Sequence, residues 1–236
     1  MSLYTRTIRA AIKAYPAVIP HLTGRARWVA FAAGGEYKTY DYYLQQLTRL
    51  ITSVYNGNLG GEFIDIMANL IQGQIYQAVN QAWLDSGMDG SLPDYLVSLA
   101  DDIVLGQYEH VDQLYRDIVD ARLDGTPLAP LLARAPLWAT RWTEAYNQAM
   151  LLIAAEMGQR MVWELGATEQ HCETCAALNG IVAFASEWEE LGVMPQSAPN
   201  DALQCGGWKC DCKLTPTEQR RSPDAYGRII NATVKL

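Results

Sequence analysis

All five cysteines of the 236-residue chain fall in one stretch: Cys172, Cys175, Cys205, Cys210 and Cys212. Cys172 and Cys175 have the Cys-x-x-Cys spacing that grips a tetrahedral metal ion from one side, and the other three are placed to supply the opposite side. The segment from Gly166 onward is short, polar and rich in Gly, Pro, Asn and Ser, so it is expected to bury little apolar surface and to need a staple. Zinc suits this donor set best, because structural zinc sites take four sulfur or nitrogen ligands and contribute folding energy directly. Five sulfurs exceed four ligands. Cys210 and Cys212 reach one metal only across a bent backbone, so one of them is expected to be spare, and His171 is not needed. The expected cofactor is one structural zinc per chain. The competing reading is one or two disulfides, or unbridged thiols. The amino terminus "MSLYTRTIRAAIKAYPAVIPHL" shows neither a signal peptide nor a membrane span, so a reducing compartment is expected, where metal outranks disulfide.

Ahead of the cysteines the chain reads as helix. In residues 60–84, Phe63, Met67, Leu70, Ile71, Ile75, Ala78, Val79 and Ala82 recur at steps of three and four, the spacing of one helical face. A helix over 94–123 carries Leu96, Leu99, Ile103, Leu114, Ile118 and Ala121. Ser91 and the Pro93-Asp94 pair mark its start, since proline is tolerated in a first turn and an acid there suits the helix dipole. An earlier helix over 36–55 turns Tyr37, Tyr40, Leu44, Leu47, Ile51 and Val54 inward. A helix from about Pro136 to Leu165 buries Trp142, Ala145, Ala149, Leu152, Ile153 and Met157. Breaks are expected at "NGNLGG", "DSGMDGS" and "LDGTPLAP". Past Gly166, "GIVAF" is β-branched enough for a short strand, and "SAPNDALQCGGW" reads as loop. The fold class that follows is mainly α: a multi-helix platform over 1–165, then a cysteine-rich, zinc-stapled α+β lobe over 166–236.

The net charge of −8 is unevenly spread. Residues 1–60 carry seven Lys/Arg against two acids, residues 61–206 five against 21, and residues 207–236 six against three. An acidic chain lacks the basic face that free DNA binding requires, so DNA affinity is expected to be weak or nil. The basic amino-terminal segment reads first as a solvated helix end.

Two sharper chemistries match part of the pattern. His171-Cys-Glu173 has the His-x-Glu form of zinc deaminases, in which Glu173 would move protons as part of a zinc-dependent nucleic-acid deaminase or hydrolase. That chemistry needs Pro-Cys-x-x-Cys downstream, and the chain has Cys-x4-Cys-x-Cys with no preceding proline. A thioredoxin-like use of Cys172 and Cys175 lacks its βαβ surroundings. His21 and His110 stand alone, and no phosphate-binding loop is present. A host-side helical adaptor remains as a third reading.

The stretch from Trp163 to Pro216 resembles the carboxy-terminal signature of the phage Mu F-like minor head protein, or phage head morphogenesis, family. The matching positions are Trp163, Cys172, Cys175, Asn179-Gly180, Trp188, Pro195, Cys205, Cys210, Cys212 and Pro216. Asp211 stands where that signature usually has a basic residue, and its common His-Pro is absent. The resemblance implies a non-enzymatic virion protein present in few or several copies per particle and assembled into the phage head in the host cytoplasm. Its implied partners are the portal and, second to it, the major capsid protein, with no membrane association. The aromatics Tyr40, Tyr42, Tyr43, Tyr55, Tyr76, Trp83, Tyr95, Tyr108 and Tyr115 are expected to supply that interface, because aromatic rings combine apolar area with a polar tip.

Overall fold

The computed structural model describes residues 40–167, 170–207 and 210–234. The start of the expected first helix, Tyr37, His21 and the basic segment around them lie outside the described residues. Among those described, residues 40–81 and 89–145 form one compact unit, and residues 82–88 with those from 146 onward form another. The second unit thus begins ahead of the sequence-based boundary at residue 165.

In the first unit, α1 (Tyr40–Tyr55) buries Tyr43, Leu47, Ile51 and Val54. Tyr43 takes the inward place expected of Tyr40 and Leu44, which are half-buried. It can do so because its hydroxyl donates to Gln77 Oε1 at 2.6 Å, leaving no orphaned polar tip. Gly57, at φ 76, ends the helix as the asparagine-glycine break predicts. In α2 (Glu62–Asp85), residues 71–80 are buried on every side, not on one stripe. Gln72, Gln74, Gln77 and Asn80 are buried with them. Gln74 Nε2 donates to the carbonyls of Trp138 and Ala139 at 3.1 and 2.7 Å.

Helix α3 (Asp94–Leu123) has the limits the sequence predicts and buries Leu96, Leu114, Ile118 and Ala121, with Leu99 and Ile103 half-buried. Its buried Asp101 accepts the hydroxyl of Tyr76, and Tyr108 donates to the Ala68 carbonyl at 3.3 Å. Short helices α4 (Ala129–Leu132) and α5 (Ala135–Ala139) each carry a proline in the first turn, where its missing N–H has no partner to lose.

The expected helix from Pro136 to Leu165 is instead three elements: α5, α6 (Arg141–Glu156) and strand β1 (Arg160–Glu164). Gly158, at φ 64, turns the chain out of α6, and the β-branched and aromatic run Met161-Val162-Trp163 then extends. Met157, expected in the core, is 45 % exposed because the helix has already ended, and Trp142 and Leu152 are half-buried.

The rest of the second unit is built on β1. After it come α7 (Glu173–Leu178), β2 (Val182–Phe184), α8 (Ala185–Glu190), β3 (Lys213–Pro216) and α9 (Ala225–Thr233). The sheet order is β2-β1-β3, antiparallel throughout, with Val162 opposite both Val182 and Thr215. β2 is the strand expected from "GIVAF", and no helix or strand interrupts the described part of the expected loop at 197–208.

The expectation that this lobe lacks a core is overturned. Trp163 and Trp188 are fully buried with ring centroids 5.8 Å apart, among Leu151, Leu178, Ile181, Leu203 and Ile229. The segment past Gly166 is core-poor only when counted without α6 and β1, which supply one side of the packing. Arg221 holds Glu187 through Nε at 2.8 Å and a second, shorter bond, tying the stretch before α9 to α8.

Two outcomes are expected. Trp188→Ala costs about 3–5 kcal/mol of stability and Met157→Ala no more than about 0.5 kcal/mol, read from denaturant unfolding followed by near-ultraviolet circular dichroism. The bond from Arg221 lowers the Glu187 pKa, so this group stabilises above the free carboxylate value of about 4.3 and loses that contribution as pH falls through its folded value. Glu187→Gln should therefore flatten the acid side of the stability curve.

Candidate metal centre

Three chain segments of the second unit deliver the cysteines. Cys172 is the N-cap of α7, and its sulfur accepts the backbone N–H of Cys175 at 3.4 Å. That turn puts both sulfurs on one side, as the Cys-x-x-Cys spacing predicts. The N–H of Glu173 donates to Gln204 Oε1 at 2.8 Å, and the N–H of Gln204 donates to Thr174 Oγ1 at 3.2 Å. This double tie brings the loop carrying Cys205 to the start of α7. Behind Cys205, Gly206 and Gly207 have φ of 61 and 76, and a Cβ on Gly207 would stand 2.4 Å from the Ser197 carbonyl oxygen. Glycine alone meets both demands.

The third segment is the turn Cys210-Asp211-Cys212, just before β3. The ladder pairs Glu164 with Lys213, so Cys212 arrives beside the end of β1. Gly166 lets it come close: a Cβ there would lie 2.0 Å from Asp211 Cγ and 2.4 Å from the Asp211 carbonyl oxygen. Gln196 Nε2 donates to the Cys212 carbonyl at 2.9 Å and fastens the turn from the other side.

All five predicted sulfurs come together, and none is in a disulfide. Cys172, Cys175 and Cys205 lie within 4.8 Å of one another, and so do Cys175, Cys210 and Cys212. Cys175 is common to both groups, and its sulfur is 3.9 Å from that of Cys210. Two sulfurs on one tetrahedral zinc, each bonded at about 2.3 Å, stand about 3.8 Å apart. The clustered cysteines can hold a metal ion. A third group joins Cys212 to His171 and Asp211, with the His171 Nδ1 3.9 Å from the Cys212 sulfur. Sequence reasoning set His171 aside and gave Asp211 no ligand role. Their adjacency to Cys172 and to the Cys210-x-Cys212 pair was the available signal. Glu173 is exposed in the first turn of α7 and belongs to none of the donor groups among the described residues.

The electrostatics fit a cation. The hydrogen bond from Cys175 lowers the Cys210 thiol to about 5, and the same bond, then burial, pushes Cys175 up. Burial is the first cause raising Cys205 to about 11. Backbone N–H groups of Gly207, Gly166 and Gln196 point at Cys205, Cys212 and Cys210 respectively. Each donor favours a negative sulfur. The sulfurs cannot all be negative together without strong mutual repulsion, which a divalent metal removes.

Compared with protein-family profiles, curated proteins and solved structures, the chain matches none.

Gly166→Ala and Gly207→Ala should each displace a cysteine-bearing segment. The expected result is weaker retention of metal than in the parent protein in competition with a chromogenic chelator, with Gly106→Ala, in α3 with open space around it, as a control outside the site.

Proposed function

We propose that this chain is a non-enzymatic minor head protein of a phage, acting at the portal during head morphogenesis. In this reading one structural zinc, held by Cys172, Cys175, Cys205 and Cys210, fixes its carboxy-terminal unit. One observation carries the reading: the residues on which the resemblance rests are those that build the unit. Trp163 and Trp188 are its fully buried pair. Asn179-Gly180 is the turn into β2, with Gly180 at φ 75 donating its N–H to the Trp163 carbonyl at 2.9 Å. Pro216 closes β3. The cysteines meet between these elements.

Cys210 is chosen over Cys212 as the fourth ligand for two reasons. Both sulfurs neighbour Cys175, but that of Cys210 also interacts with Cys205, whereas Cys212 has His171 and Asp211 on its other side. The deaminase or hydrolase alternative needs His171 and Glu173 at the same metal. His171 joins a different donor group from the Cys172 triad, and Glu173 joins none, so the geometry gives that alternative no support.

The partner surface is narrower than the aromatic inventory implied. Tyr43, Tyr76 and Tyr108 are buried, and the other six aromatics named above are half-buried. Portal binding is then carried by half-buried ring edges on α1–α3 together with Leu123, which is 72 % exposed. No helix among the described residues is long and apolar enough to cross a membrane.

The test is co-expression with the portal protein encoded in the same genome, followed by co-purification, mass spectrometry of purified heads and a DNA shift assay. The chain is expected in heads and on the portal, with weak DNA affinity at physiological salt. Cys172→Ser combined with Cys175→Ser should abolish incorporation, and Glu173→Gln should leave it intact. Tight DNA binding without portal association would show the partner to be wrong, and a metal-dependent deamination lost in Glu173→Gln would restore the enzymatic alternative.

Because the unit has its own core, zinc removal should loosen the cysteine-bearing segments without unfolding the whole. Hydrogen exchange should rise after chelation in residues 170–176 and 196–212 and stay low in β1 and α9.

A further inference from the structure

We propose a second metal position in the same unit, held by His171, Asp211 and Cys212. It rests on the four-cysteine zinc proposed above. That zinc uses Cys172, Cys175, Cys205 and Cys210 and closes its tetrahedron with protein ligands. Of the seven donor side chains gathered at the site, three are then left over, and they are not scattered. The Nδ1 or Nε2 of His171, a carboxylate oxygen of Asp211 and the sulfur of Cys212 lie within 4.8 Å of one another. Cys212 also lies within 4.8 Å of the Cys175 and Cys210 sulfurs, so the second position adjoins the first, and the proposed division gives Cys212 to the histidine and the aspartate.

The geometry of the set of three is that of a ligand shell. The 3.9 Å between the Cys212 sulfur and His171 Nδ1 is close to the about 3.6 Å separating a sulfur and a nitrogen on one tetrahedral zinc. Cys212 is only 1 % exposed, so a negative sulfur there requires a nearby positive charge. Asp211 is held at the site by the close approach of Gly166, where any side chain would collide with it. The turn that presents Cys210 to one metal presents Asp211 and Cys212 to the other.

The donor chemistry selects the ion. One imidazole, one thiolate and one carboxylate suit zinc or cobalt and disfavour magnesium and calcium, which take oxygen shells. Three protein ligands leave one coordination position for water, unlike the closed four-cysteine site.

Metal-free protein titrated with Zn2+ alone, desalted and measured by elemental analysis should retain two equivalents. His171→Ala and the near-isosteric Asp211→Asn should each retain one, with unchanged far-ultraviolet circular dichroism. X-ray absorption at the zinc edge should show a mixed shell of sulfur with nitrogen or oxygen in the parent protein. In His171→Ala it should become all sulfur. One equivalent in the parent, with an all-sulfur shell indifferent to His171→Ala, would overturn the second position and leave the first standing. One equivalent with nitrogen in its shell would overturn the division into two sets. No retained metal at all would sink the zinc reading itself.

Discussion

Strand β1 lies between β2 and β3, and its two pairings decide where the cysteine-bearing segments arrive. Val162 opposite Val182 sets the hairpin-like return from α7, which carries Cys172 and Cys175. Trp163 opposite Leu214 places Cys212 two residues further out, next to Gly166. A slip of one residue in either ladder would turn Trp163 from the interior to the surface and carry the cysteines away from each other. The ladder and the tryptophan pair thus set the place of the sulfur cluster.

Part of the cluster is buried in the core. Cys175 and Cys212 belong to the apolar interior beside Trp163, Leu178 and Leu203. Charges that would be screened at the surface interact strongly there, so neighbouring thiolates repel and a cation between them gains more than it would in water. Backbone N–H groups pointed at the sulfurs soften the cost of ionisation without balancing the charge. The apolar side holds the sulfurs in position, and an ion bound among them would make the burial of negative sulfurs tolerable.

How legible this was in the sequence depended on how local each signal was. The limits of α3, the existence of helix α2, the asparagine-glycine stop after α1 and the strand at "GIVAF" rest on spacing within a dozen residues, and they stand. The five sulfurs were found because cysteine is rare and its grouping is visible by eye. β1 was missed because Arg160–Glu164 directly continues the apolar periodicity of α6, and only Gly158 interrupts it. The independent core was missed for the same reason, since one of its two tryptophans lies on that strand. Tyr43 was missed because periodicity cannot see that Gln77, 34 residues away, would accept its hydroxyl. His171 and Asp211 are single polar residues whose meaning comes only from the fold around them.

Gln74 performs a task that usually falls to residues at a helix's own end. The last carbonyls of an α-helix have no partner within it and are commonly closed by a following glycine or by water. α5 has five residues and runs into Thr140 without such a glycine. The side-chain amide of Gln74, inside α2, reaches the Trp138 and Ala139 carbonyls instead. The two helices are therefore registered against each other by a cap borrowed across more than sixty residues of chain. An apolar residue at position 74 would leave α2 as good a helix as before. The damage would surface at α5, where the Trp138 and Ala139 carbonyls would lose the donor that α2 supplies, far in sequence from the change that caused it.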